Sequence, residues 1–419
     1  MVKRYVFTSR VALLFLIWLS AYPSLAQKVI PVDTSHAQVL RIDPSNAFGG
    51  TAKEVLEDIE YIPLETTKES LFGQIDRLEV TDEHFVILDK STNSILFFDR
   101  RGRYKHKIYG GNPNMDKSCR ILSFAVNNLT KELVYPSWKN KEFKYMVFDF
   151  QGKKVREIPR NVNLFYDYKF IGKNEVVVSQ NYQEAKEGES ATKFMVNFYK
   201  DLQDNYANIF PYQSGDMALD QDYFTIHKNF TYGGSDTAFL FTKPQDYNVY
   251  KITPKTASLL YKYILPAQNS LPKGFLTDSV FKDKRLKLIQ KGNVYFNLQY
   301  CYLMAPNLIF HLSMWDGGTK EDDFIYNLKS GQLFAYNHIS TDETAFFLPL
   351  SGDRKVTVGF AASDGEHLFT ELSSREMFRA QEEHKDKNIK YNPILQQYFS
   401  KGTERDNPVI LQLRLKDKL

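Results

Sequence analysis

The sequence predicts an all-β protein: a six-bladed β-propeller built from four-stranded antiparallel blades. Three observations predict it. The hairpin "FFDRRGRYKHKIY" (Phe97–Tyr109) returns 50 positions later as "VFDFQGKKVREIP" (Val147–Pro159), so that Phe98 matches Phe148, Asp99 matches Asp149, Gly102 matches Gly152 and Ile108 matches Ile158. Aromatic residues make up 15% of the chain, an excess that suits the pleated surface of strands. Finally, strand-like segments group in fours along the chain, and a period of about 40–50 residues is the mark of propeller blades. One such sheet cannot bury both its faces alone. Sheets stacked about an axis bury them against each other, and a closed ring leaves only short edges. A large β-sandwich is the competing architecture.

Taken in order, the chain opens with a leader pattern. Lys3, Arg4 and Arg10 precede the apolar run Val11–Leu19, and Ser24-Leu25-Ala26 fits a small-x-small cleavage site. Residues 1–26 are therefore expected to be a signal peptide cut after Ala26, since the apolar run falls short of the ~20 residues of a spanning helix. No cysteine lies near the cut, so no lipid anchor through an N-terminal Cys is expected. Residues 27–54 form a lead-in segment, and 55–419 the propeller domain.

"DIEYIPLET" (Asp58–Thr66) is a strand ahead of the first blade. Blade one reads "IDRLEV", "HFVILD", "SILFFD" and "RYKHKIY" between Ile75 and Tyr109. In its turn "DRRG", Asp can bond the backbone ahead and Gly can take φ > 0. Blade two runs from "ILSFAVNN" (Ile121–Asn128) to "KVREIP". Blade three spans Tyr166–Phe210, with Phe198 again 50 beyond Phe148. Blade four lies between Phe224 and Leu265 and starts on "FTIHKNF"; blade five lies between Asn293 and Ile339. Blade six holds "KVTVGFAAS" (Lys355–Ser363), "HLFTEL" (His367–Leu372) and "NPVILQLRLK" (Asn407–Lys416), one strand short.

The strand before blade one supplies the missing member: Glu60–Leu64 is expected beside Val409–Leu413, tying the two ends of the chain. Helical insertions are expected near 277–290, which is amphipathic, and near 373–401. There Ser373 and Glu376 form a capping-box pattern, Pro393 sits near a helix start and Gly402 past its end.

"YIPLETTKESLFGQIDRLEV…HFVILDKSTNSILFFDRRGRYKHKI" resembles the opening of secreted six-bladed, NHL-like propeller proteins of gut Gram-negative bacteria. Tyr61-Ile62-Pro63-Leu64-Glu65-Thr66, Ile87-Leu88-Asp89 and Asn407-Pro408-Val409-Ile410 occupy the family's motif positions. The resemblance covers most of the chain past residue 26. It implies the fold and says almost nothing of activity. Many relatives follow the first hairpin with a G-x-G-P-G-E-Y loop, where this chain has "GGNPNMDKSC" (Gly110–Cys119).

The formal charge is +4, and loss of three basic residues with the leader leaves about +1. Such a chain has no general pull toward nucleic acid or anionic lipid. No transmembrane segment is expected in the mature chain. Cys119 and Cys301 could form a disulfide or stand as two free thiols; neither has a Cys or His at zinc-ligand spacing.

Enzyme signatures are faint. "SDGEH" (Ser363–His367) lacks the Thr-Trp of a sialidase box. Lactonase-like propellers hold a channel Ca²⁺ by Glu, Asn and Asp from several blades. Asp76, Asn127, Asn128, Asp167 and Asn297 could serve at strand ends, but no spacing selects them. "DGGTKEDD" (Asp316–Asp323) reads as an exposed turn. The histidines form no HExxH, and no G-x-S-x-G or P-loop occurs.

Candidate ligand-binding residues are the aromatics Trp138 and Trp315, near strand ends, and Tyr300 and Tyr302, two apart on one strand. Packing between blades competes as the role of each tryptophan. The expected function is a non-enzymatic exported binding or scaffolding module. It would act in the periplasm or at the cell exterior as a monomer, recognising a glycan, a peptide or an envelope partner at one propeller face without a cofactor. The alternative is a hydrolase or lyase with its site in the channel, with Ca²⁺ assistance as one form of it.

Overall fold

The computed structural model describes residues 28–111, 119–139, 142–159, 167–180, 194–212, 228–281, 283–315, 319–352 and 359–419. The expected leader lies outside them. Six antiparallel four-stranded sheets make the blades of a propeller. Their innermost strands are Arg77–Val80, Ala125–Asn127, Asp167–Phe170, Phe230–Ser235, Tyr295–Met304 and Ala362–Ser363.

The reason for the ring is legible in blade one. His84–Asp89 and Ser94–Asp99 are apolar almost throughout because both faces are covered. Phe85, Ile87, Leu96 and Phe98 pack toward blade six, with Phe369 and Ile410. Val86, Leu88, Ile95 and Phe97 pack toward blade two, with Phe124 and Leu133. Successive side chains of a strand point to opposite faces, so each strand serves two interfaces. Equivalent cores join blades two and three, three and four, four and five, and five and six.

The repeated hairpin keeps its chemistry. Asp99 Oδ1 accepts from the amides of Arg101 and Arg103 at 3.0 Å each, and Asp149 Oδ1 accepts from Gln151 and Lys153 at 3.0 and 2.8 Å. Gly102 and Gly152 take φ of 79° and 78°. Gly102 is also held by crowding: a Cβ there would lie 2.2 Å from the carbonyl oxygen of Pro63.

The ends close as the missing strand requires. Leu56–Pro63 pairs antiparallel with Val409–Leu415, with Ile62 opposite Ile410 and Glu60 opposite Gln412. Asn407 fastens the junction. Buried, it donates to the carbonyls of Glu65 and Ser70 at 2.8 and 2.9 Å and accepts from the Phe72 amide at 3.1 Å.

The lead-in does more than lead in. Lys28–Val29 adds a parallel strand to the outer edge of blade three, Val32–Asp33 and Gln38–Arg41 to blade four, and Phe48–Thr51 to blade five. It is a strap over three blades that ends in the strand closing the sixth. Its Ile30, Leu40 and Ile42 are buried in the cores beneath.

Several elements differ from expectation. The first described strand of blade four is Phe230–Ser235; most of "FTIHKNF" lies outside the described residues. Thr319–Asn327 is a strand and not part of a turn, because it pairs along its length with Asn307–Trp315. Blade six has a described inner strand of only Ala362–Ser363, residues 353–358 lying outside the described set. The expected helix at 277–290 is a 3-10 turn, Ser279–Phe281, and a short helix, Arg285–Gln290. Helices Ser374–Glu383 and Pro393–Lys401 stand where expected, and Ser373 and Glu376 cap each other at 2.7 and 3.2 Å.

Candidate functional site in the channel mouth

The inner strands project alternate side chains into the central channel, where a cavity of about 80 Å³ takes lining residues from all six blades. Blade one gives Glu79, blade two Asn127 and Asn128, and blade three Lys169 and Phe170. Blade four gives Tyr232 and Phe239, together with Lys228 just ahead of its first strand; blade five gives Tyr302 and blade six Ser363.

A charge network underlies the cavity. Lys169 Nζ donates to both oxygens of Glu79, at 2.6 and 2.7 Å. Arg77 bridges Glu79 at 2.9 Å and Asp167 at 3.3 Å. The other Asp167 oxygen accepts from the Phe230 amide at 2.8 Å. Blades one, three and four are thus joined through buried ions. Burial alone would raise the Glu79 carboxyl, but Lys169, Arg77 and Lys228 outweigh it and hold the group at about 2. Arg77 stays above its ordinary value because its two carboxylate partners outweigh its desolvation.

Lys228 differs. Its Nζ donates to the Ala361 carbonyl and, at 3.4 Å, to the Tyr302 hydroxyl, which itself donates to the Phe360 carbonyl at 2.9 Å. Among the described residues it makes no ion pair. Burial brings the ammonium down to about 7, with Lys169 and Arg77 pushing the same way against Glu79 and Asp167. Opposite in character is Asn128: its amide donates to Asp236 at 2.9 Å, while its buried carbonyl oxygen has no partner. The cavity therefore sets the amine of Lys228 and the amide of Asn128 beside the rings of Phe170, Tyr232 and Phe239.

Of the four aromatic residues singled out in the sequence, the structure brings only Tyr302 to this cavity. A β-bulge between Gln299 and Tyr302, with Tyr300 at φ 50°, breaks the alternation that would have put both tyrosines on one face. Tyr300 instead meets the ring of His311 edge-on, and His311 Nδ1 bonds Asp323 at 2.9 Å. Trp315 packs against the helical insertion with Phe275, Ile289 and Phe296. Trp138 is 43% exposed at a hairpin end in blade two, edge-on to Phe143.

Of the oxygen-bearing residues considered for calcium, Asp76, Asn127, Asp167 and Asn297 are engaged with protein groups. Asp76 accepts from the Lys90 amide at 2.7 Å, Asn127 donates to the Lys173 carbonyl at 2.9 Å, and Asn297 accepts from the Gln245 amide at 3.0 Å. Among the described residues no three His, Cys, Asp or Glu side chains are grouped to hold a metal ion. Cys119 and Cys301 are free thiols, and burial pushes that of Cys301 far up. No helix among the described residues is long and apolar enough to cross a membrane.

Of the ionic network of Arg77, Glu79, Asp167 and Lys169, only Asp167 is singled out in the sequence, as a calcium candidate. The network's one signal is the charged pair inside each of two short inner strands, "RLEV" and "DYKF", at matching positions.

Fold and channel together define a six-bladed β-propeller with a charged, partly enclosed mouth. The chain belongs to the family described as "Domain of unknown function (DUF4934)", whose model matches residues 41–414. A solved protein of Bacteroides fragilis, whose name proposes export, is similar in structure with a TM-score of 0.65 at 12% identity, over 90% of this chain and 100% of its own. A member of the DUF4221 family from Bacteroides vulgatus superposes with a TM-score of 0.44 at 12% identity, over 86% of this chain and 97% of its own. At that identity the first likeness speaks for the fold alone. No curated protein matches the chain.

Proposed function

We propose that this protein is an exported binding propeller that takes a sugar unit of a glycan into the mouth of its channel. Export is supported by the leader pattern before Gln27 and by the name of the similar Bacteroides fragilis protein. The observation that carries the ligand reading is the cavity itself. Among the described residues it sets an ammonium without a counter-ion and a carbonyl oxygen without a donor beside aromatic rings. A polyhydroxylated ring satisfies both groups through its hydroxyls and lays its C–H face on the aromatics; sites with few placed polar groups on an apolar wall take ligands in this way.

The experiment is calorimetric titration of the purified protein with a panel of methyl glycosides. Asn128→Ala should weaken binding about 5- to 10-fold, the worth of one hydrogen bond at about 1 kcal/mol. Binding of no glycoside would end the reading.

A second reading, a lyase or hydrolase acting in the same cavity, draws on one feature. An amine brought to about 7 is suited to take a proton near neutral pH. Product formation on prolonged incubation with oligosaccharides, lost in Lys228→Met, would replace the binding role with this one.

A further inference from the structure

We infer that the sugar unit taken by the channel carries a carboxylate, and that Lys228 is its counter-ion. This rests on the reading of the cavity as a sugar site and narrows it to acidic sugars.

The argument is one of unmatched charge. The charges whose fields reach Lys228 are Arg77 and Glu79 from blade one and Asp167 and Lys169 from blade three, and the Tyr302 hydroxyl of blade five is in hydrogen-bond contact with it. Among the described residues, three cations therefore share two carboxylates whenever Lys228 is protonated. Glu79 is engaged on both oxygens, by Arg77 and Lys169. Asp167 is engaged by Arg77 and by a backbone amide. Asp236 also lines the cavity, but it is exposed and holds the amide of Asn128.

One positive charge is left over, and it belongs to the lysine at the cavity wall. Tyr302 and Ala361 take two of its N–H bonds, which leaves a third for a ligand. A buried charge without a partner is costly, and an opposite charge brought within contact relieves that cost. A neutral ring hydroxyl would leave the excess in place; a carboxylate would cancel it.

A consequence follows for protons. With the cavity empty, burial and the two neighbouring cations bring the ammonium down to about 7, so that near neutral pH only part of the protein carries the charge. A ligand carboxylate favours the ammonium, so binding near neutral pH draws a proton from solvent. Affinity should then fall as pH rises and the ammonium becomes harder to keep.

The test pairs methyl glucuronoside and methyl galacturonoside with their neutral parents, methyl glucoside and methyl galactoside. Titration calorimetry runs near neutral pH in two buffers of unlike ionisation enthalpy. Expected for the wild-type protein is a preference of at least about 10-fold for a uronoside over its parent, with net proton uptake. In Lys228→Met the preference and the uptake vanish, and all four sugars bind more weakly for want of the lysine's hydrogen bond. Equal binding of acidic and neutral sugars by the wild-type protein, or uronoside binding without proton uptake, overturns the inference and leaves the sugar reading standing. Binding of none of the four overturns both. The wild-type comparison needs no variant, so a Lys228→Met chain that fails to fold does not shield the proposal.

Discussion

Glu79 is where the channel's stability and its chemistry meet. Among the described residues it is the one carboxylate on which Arg77 and Lys169 both converge. Removing one partner of a buried ion pair leaves the other uncompensated and costs about 3–5 kcal/mol. Glu79→Gln should therefore lower stability by that order, read as a shift of the urea midpoint. The pH dependence has a definite sign. The folded carboxyl sits at about 2 against an ordinary 4.5. Its contribution is thus complete above about 4.5 and is lost as pH falls toward 2. Denaturation at a series of acid pH values should show the wild-type protein losing stability across that window, with Glu79→Gln flatter through it. Asn407 is the second residue of this kind, through hydrogen bonds and without charge. Asn407→Ala removes three bonds at the ring junction and leaves the Phe72 amide buried without an acceptor. A loss of about 4–6 kcal/mol is expected, at about 1 kcal/mol per bond with a further penalty for the orphaned group, measured by chemical denaturation.

At the scale of elements, the strap is the feature with the clearest consequence. Outer strands of a sheet present unpaired backbone groups, and here blades three, four and five have theirs covered by residues between Lys28 and Thr51. The strap buries Ile30, Leu40 and Ile42, each worth about 1.5–3 kcal/mol. A chain lacking 28–51 should lose about 5 kcal/mol or more, seen as an earlier urea midpoint with an unchanged strand signature in circular dichroism. The hairpins show how much an element can be read from its residues. Asp, Gly and their spacing fix the turns after Phe98 and Phe148, and the structure repeats them bond for bond. In the third copy the turn residues are Asp201 and Leu202, both at positive φ without glycine, so the strand pair persisted while the turn changed. The bulge at Tyr300 had no such signal: nothing local in "NLQYCYLM" marks where alternation fails, because the neighbours that impose it lie in other strands.

For the whole molecule, the ring and its closure were legible, while the site was largely not. Apolar runs on both faces of a short strand, recurring in fours, demand neighbours on both sides, and a sheet with one strand too few beside an end with one too many demands that they meet. Glu60–Leu64 against Val409–Leu413 follows from that count and is what the fold contains. The candidate site obeys no such local rule. Trp138 and Trp315 carried the compositional marks of a binding rim, yet Trp315 is used to seat an insertion and Trp138 stands at a hairpin end away from the cavity lining. Lys228 carried no mark at all. What the sequence by itself determined was periodicity: which faces must be buried, where turns fall, how many blades there are and how the ends join. Those depend on neighbours along the chain and on a repeat that averages over many residues. Only the tertiary structure decided the channel. Its lining takes residues from six blades far apart in sequence, and whether a lysine is paired or left over depends on distances that exist only once the ring has closed.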